Sequence, residues 1–217
     1  MVYYVAEVLY CLQHLHANNI IYRDLKPENI VISMTDRGHI KLVDFGFAKR
    51  LKDITQKTLT NCGTPAYIAP EILRGHNGHG YEVDVWGLGV LMVEIVSGQT
   101  PFHADTTQGI YEKVQLCQPQ YNKFVTRNLR DLLSKIFVPD PELRMSFEEI
   151  KQHPVFKDFD FSYNMRDRYI YGSGPFVPKE AIFNEQADRD SKEEEVLKPK
   201  NILAAIMGNP MHDVGAQ

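Results

Sequence analysis

The chain has 217 residues, 43% of them hydrophobic, with Lys+Arg 24 against Asp+Glu 28 and a formal net charge of -4. That length and mix suit one soluble domain with a real core, and the acidic balance argues against a general nucleic-acid binder. The longest apolar stretch, residues 88–96, is broken by Glu94 and is too short to span a bilayer.

The opening segment MVYYVAEVLY has no cationic region or small-residue cleavage site, so no secretory signal is expected. Cys11, Cys62 and Cys117 are odd in number and show no C-x-x-C spacing, which points away from disulfides and zinc and towards a reducing, cytoplasmic compartment. Val2, Val5, Leu9, Leu12 and His16 recur at spacings of three and four, predicting an amphipathic helix that ends at Asn18-Asn19. An apolar pair, Ile20-Ile21, precedes a polar loop. Residues 30–33 and 39–43 then flank the turn signal Asp36-Arg37-Gly38 and predict a short hairpin. Residues 44–71 lack periodicity and are expected to form one long, ordered, functional loop. Residues 83–96 are apolar on nearly every side, the pattern of a helix buried in a core. Further helices are expected at 106–114, 127–137 and 146–153, the last opened by a capping box between Ser146 and Glu149 and closed by Pro154. Beyond Phe161 the pattern fades into an extended tail with the acidic run Glu193-Glu194-Glu195 and a short apolar patch at 202–207.

Three motifs carry chemistry: Tyr22-Arg23-Asp24-Leu25-Lys26-Pro27-Glu28-Asn29, then Asp44-Phe45-Gly46, then Ala69-Pro70-Glu71. In this order and spacing they resemble the signature set of eukaryotic protein kinases. "YRDLKPEN", "DFGFAKR", "CGTPAYIAPEIL" and the later "GPFVPK" are most similar to the AGC group, and within it to the cyclic-nucleotide-dependent kinases. The resemblance implies a mainly α fold: a kinase C-lobe over residues 1–161 with a short β-hairpin at the cleft, and an AGC-type tail over 162–217. It implies serine/threonine protein phosphorylation with ATP and Mg2+. Phosphoryl transfer is mostly positioning and charge neutralisation. Asp24 would accept the proton of a substrate hydroxyl and Lys26 would place a cation beside the γ-phosphate. Asn29 and Asp44 would supply hard oxygen ligands to magnesium, and Val31 would lie beneath the adenine.

The same resemblance places an activating phosphothreonine at Thr60, read by Arg23 and Lys49. Thr64 matches a residue that holds the catalytic Asp and Lys, Glu71 and Arg144 a buried ion pair, and Asp84 a side chain that holds the catalytic-loop backbone. Glu28 and Glu94 match carboxylates that receive basic residues upstream of the target hydroxyl. Ala66 and Asn61 depart from the cyclic-nucleotide kinases, which puts strict basic specificity in doubt. Protein substrates are the implied partners, with neither nucleic acid nor membrane. A regulatory subunit or a separately supplied N-lobe is the further partner the family pattern allows. The histidines show no metal spacing and read as surface or core residues.

The sequence has no G-x-G-x-x-G, and its first lysine is Lys26. The N-lobe elements that clamp a nucleotide in a kinase are therefore expected to be missing, and this chain alone is expected to be inactive. The rival expectation is a non-catalytic lobe that serves as an interaction module or scaffold.

Overall fold

A computed structural model describes residues 1–33, 38–75 and 77–161. The expected tail at 162–217, with its "GPFVPK" motif and apolar patch, lies outside the described residues, as does most of the expected hairpin turn. The architecture is mainly helical. Helix α1 (Val2–Ala17) is followed by β1 (Ile20–Ile21), β2 (Ile30–Ile32), β3 (Ile40–Leu42) and β4 (Lys49–Arg50). Helices α2 (Pro70–Arg74), α3 (Glu82–Ser97), α4 (Thr107–Gln115), α5 (Arg127–Ile136) and α6 (Phe147–Gln152) complete it, with short 3-10 turns between.

The core is organised around α3. Its residues from Val83 to Val93 are all buried, so the helix has no solvent face along most of its length. Trp86 stacks on Phe102 with ring centroids 5.2 Å apart and meets Phe137 edge-on at 4.9 Å. Gly89 permits that packing, because a Cβ there would come within 2.7 Å of Ile136 and 2.9 Å of the Phe137 ring. Helix α1 packs against α3, β1, β3 and α6; Val5, Leu9 and Leu12 of the expected face are buried, Val2 and His16 only partly, and Tyr4, Ala6 and Val8 are buried too, so the buried face is wider than the spacing predicts. One buried acid lies within that face: Glu7 accepts from the Ile40 N–H at 3.0 Å and pairs with the His39 ring, tying α1 to the hairpin. Two polar groups that each complete the other's hydrogen bonding can sit in a core at little net cost.

The hairpin β2–β3 forms with Ile30 opposite Leu42 and Val31 opposite Lys41. The stretch 44–71 is more structured than its composition suggests. β4 pairs antiparallel with β1, Ile20 opposite Arg50, and Thr58 forms an isolated bridge with His79. Pro65–Tyr67 is a 3-10 turn, and α2 begins at Pro70, inside the stretch expected to be loop. Proline at the first helical position presets the dihedral that starts α2, but five residues are too few to show a period. At the other end the capping box of α6 is present: Ser146 Oγ accepts from Glu149 N, and Glu149 Oε2 accepts from Ser146 N at 2.8 Å. No helix among the described residues is long and apolar enough to cross a membrane.

Candidate active site

The polar loop between β1 and β2 turns sharply because Arg23 sits at φ 68, a left-handed conformation that is unusual for a non-glycine residue. Asp84, buried on α3, holds it there. Its Oδ1 accepts from Arg23 N at 2.7 Å and its Oδ2 from Tyr22 N at 2.9 Å. His16 of α1 approaches the same carboxylate at 2.7 Å. Side-chain spacing assigns His16 no functional role; only the fold brings residues 16 and 84 together.

With the backbone fixed, Asp24 becomes the centre of a dense polar cluster. It is 2% exposed. Lys26 Nζ donates to its Oδ2 at 2.7 Å, Thr64 Oγ1 donates to its Oδ1 at 2.9 Å, and Lys26 Nζ also reaches Thr64 Oγ1 at 3.2 Å. Asn29 Nδ2 donates to the Asp24 carbonyl at 2.8 Å and to Asp24 Oδ2 at 2.9 Å. Thr64 arrives from a segment 40 residues away by way of Gly63, whose φ of 115 requires glycine and where a Cβ would press to 3.2 Å from the Arg23 carbonyl. Asp24, Lys26, Asn29 and Thr64 are thus brought together as one unit.

Asp44 lies one step beyond. Val43 N donates to the Asn29 carbonyl at 3.0 Å and Tyr22 Oη donates to the Val43 carbonyl at 2.5 Å, which places Asp44 at the mouth of the same loop. Asp44 itself has φ 59, is exposed, and accepts Gly46 N on Oδ1 at 3.0 Å. Burial pushes the Tyr22 phenol well above its usual range, and the Asp24 charge adds to this; Asn29 opposes it, and Asp44 and Asp84 add smaller contributions.

A divalent cation bound to phosphate takes oxygen ligands from one or two side chains and keeps the rest for water and phosphate. The residues present fit that demand. Asn29 spends its Nδ2, not its Oδ1, on Asp24, and the exposed Asp44 carboxylate has one protein partner among the described residues. Val31 is buried in β2, on the hairpin that follows Asn29.

The remaining expected residues fall into three groups. Glu71 and Arg144 form a buried bidentate pair, Nη1 to Oε1 at 2.7 Å and Nη2 to Oε2 at 3.0 Å, with Arg144 also donating to the Glu82 carbonyl. Glu94 is half-buried and its carboxyl is raised above the usual range, first by burial and also by the nearby Glu28 charge, against the hydrogen bond from Tyr67. Tyr67 is a partner of Glu94 that the sequence did not single out. Thr60 is exposed, as a modifiable residue must be. In the unmodified chain Lys49 Nζ donates to Thr58 Oγ1 at 2.7 Å, and Arg23 Nε donates to the Phe47 carbonyl at 2.7 Å. Cys62 lies near Arg23 and Lys49, yet burial outweighs them and raises its thiol, so it is not poised as a thiolate.

The profile of the protein kinase domain matches residues 1–156. The chain is 40% identical over 183 residues to the mouse cAMP-dependent protein kinase catalytic subunit PRKX, covering 82% of this chain and 49% of that protein. It is 40% identical over 178 residues to the RAC family serine/threonine-protein kinase homolog of Dictyostelium discoideum, covering 81% and 39%. It is 41% identical over 179 residues to mouse protein kinase C delta type, covering 82% and 26%. The chain thus spans between a quarter and a half of the length of these relatives. With the kinase motifs standing in the loop before β2, just after β3 and at the start of α2, the chain belongs to the protein kinase family, in its AGC group.

Proposed function

We propose that residues 1–161 are the C-lobe of a serine/threonine protein kinase that transfers the γ-phosphate of ATP to hydroxyls of protein substrates, and that 162–217 is an AGC-type tail. The observation that carries this reading is the Asp24 cluster. A carboxylate whose two oxygens are separately held by Lys26 and Thr64 is oriented for one task. Asp24 accepts the proton of a serine or threonine hydroxyl as the oxygen attacks phosphorus. Lys26 lies within reach of the charge that grows on the transferring phosphoryl group. Asn29 and Asp44 would hold magnesium, which would supply charge neutralisation at the phosphate oxygens of ATP. Val31 forms the apolar floor beneath the adenine. Glu71 with Arg144, and Asp84 with the Tyr22 and Arg23 amides, keep this geometry rigid. Glu28 and Glu94 set a negative potential where basic residues of a substrate would lie. Phosphate on Thr60 would draw Arg23 and Lys49 to it and order the segment between Asp44 and Pro70.

The glycine-rich loop and strand lysine that cover the phosphates in a kinase are not among these 217 residues. The reading therefore requires a second lobe, supplied by further sequence or by another chain. The test measures phosphoryl transfer to a serine peptide with upstream arginines, using this chain alone and the chain complemented with an AGC-kinase N-lobe. Background activity alone, magnesium-dependent transfer on complementation, and its loss in Asp24→Asn are expected. A complemented complex that binds ATP and magnesium but transfers nothing would overturn the reading.

A further inference from the structure

His79 is 2% exposed and belongs to no part of the site described above. It exchanges both backbone hydrogen bonds with Thr58, each at 2.9 Å. Residues directly opposite in such a pair project their side chains from the same face. The His79 ring therefore shares a face with the Thr58 hydroxyl, which accepts Lys49 Nζ at 2.7 Å and faces the Thr60 N–H at 3.5 Å. Two nitrogens here are shielded from solvent and have no hydrogen-bond partner: Nε2 of His79 and Nη1 of Arg23. Buried polar nitrogens without partners are uncommon in native proteins and call for an explanation.

We propose that His79 is a third ligand for a phosphate carried on Thr60, acting with Arg23 and Lys49. This rests on the reading of Thr60 as a modified residue and adds to it a histidine that no kinase motif in the sequence marks. Because the unpartnered nitrogens are closed to solvent, an acceptor for them must come from the protein itself, and the segment bridged to His79 at Thr58 carries one candidate. Thr58 itself is 3% exposed and its hydroxyl is taken, whereas Thr60 is exposed two residues on. A phosphate brings about two negative charges and three acceptor oxygens, enough for all three cationic or donor groups. The groups that act on the His79 ring are Arg23 and Lys49, which disfavour its proton, and Glu71 and Asp84, which favour it; burial outweighs them all and keeps the ring neutral. A dianion beside Arg23 and Lys49 reverses that balance, and the ring binds a proton and donates from Nε2.

The experiment installs phosphothreonine at position 60 of the full chain by genetic encoding. It follows the phosphate by phosphorus NMR and the His79 ring by ring-nitrogen NMR over about pH 5–8. With phosphothreonine, the His79 ring pKa is expected to rise by more than about one unit, and the second phosphate pKa to fall by about one unit from its ordinary value near 6. In His79→Phe the phosphate shift shrinks; should that variant not fold, the ring titration of the unsubstituted chain decides. A shifted phosphate with an unchanged His79 ring means Arg23 and Lys49 hold it alone, and the proposal falls. A phosphate that titrates as in a free peptide, equally in Arg23→Gln, overturns the Thr60 reading too. Inorganic phosphate added to the unmodified chain is expected to leave the ring unmoved; an equal shift would make this a free-anion site and remove Thr60 as the source.

Discussion

Thr64 Oγ1 donates to Asp24 Oδ1 at 2.9 Å while Lys26 holds the other oxygen, so a residue 40 positions away fixes the plane of the central carboxylate. Removing either partner separates orientation from chemistry. Asp24→Asn keeps the shape but cannot take a proton, and transfer in the complemented kinase should fall roughly 10²–10⁴-fold, the usual contribution of a positioned base. Thr64→Val leaves the carboxylate intact but lets it rotate, and a loss of about tenfold in kcat is expected. Steady-state kinetics on both variants checks the order. A Thr64→Val enzyme as impaired as Asp24→Asn would show that the hydroxyl does more than orient.

Arg144 and Glu71 make a different kind of pair. Both are buried, and the guanidinium makes four hydrogen bonds, to Glu71, Glu82 and Val138. Breaking such a pair from one side strands a charge in the core, at about 3–5 kcal/mol. Glu71→Gln and Arg144→Leu should each show that loss in urea denaturation. The double variant Glu71→Leu with Arg144→Leu should lose less than the two single losses added together, because no orphan charge remains. Arg144→Lys should not rescue, since one ammonium cannot reproduce the fork.

Much of this was legible in the letters. The period of α1, the all-round apolarity of α3 and the capping box of α6 follow from side-chain spacing alone, and the Asp24, Lys26, Asn29 group from motif order. What was hidden depended on long-range contacts. His16 reads as one more residue on an amphipathic face until Asp84, 68 positions later, is brought to it. Tyr67 gains meaning only from Glu94, and His79 only from its bridge to Thr58. α2 and β4 are invisible to periodicity because two to five residues carry no period, and only the pairing of β1 with Lys49–Arg50 makes that stretch a strand.

The buried His79 also predicts a pH dependence. Its pKa is lowered to about 4 from a reference of 6.5, chiefly by burial, with the Arg23 charge next. The unfolded chain therefore binds a proton at higher pH than the folded chain does. Stability from this group is complete above 6.5 and is lost as pH falls towards 4. The loss should reach about 1–3 kcal/mol across that window. Urea midpoints measured through it should decline in the unmodified chain and decline less in His79→Gln. A rise in stability on acidification would contradict the sign.

The last prediction concerns the apolar face beside the site. Phe45 is 50% exposed and Phe47 44%, next to Val43 at 36%. Phe45 also lines a groove of about 500 Å³ with Leu15, Ile40 and Leu42. Single exposed apolar residues are ordinary, but a contiguous patch favours association. In the proposed kinase this is the face that a second lobe would cover. The chain alone should associate with rising concentration in sedimentation velocity. Phe45→Ser, which removes the more open of these two rings, should shift it towards monomer, although it sacrifices the edge contact to Tyr22 at 5.4 Å. Addition of an N-lobe should have the same effect on the unsubstituted chain, by covering the patch rather than deleting it. A chain that stays monomeric at high concentration without either change would show that the patch does not drive association.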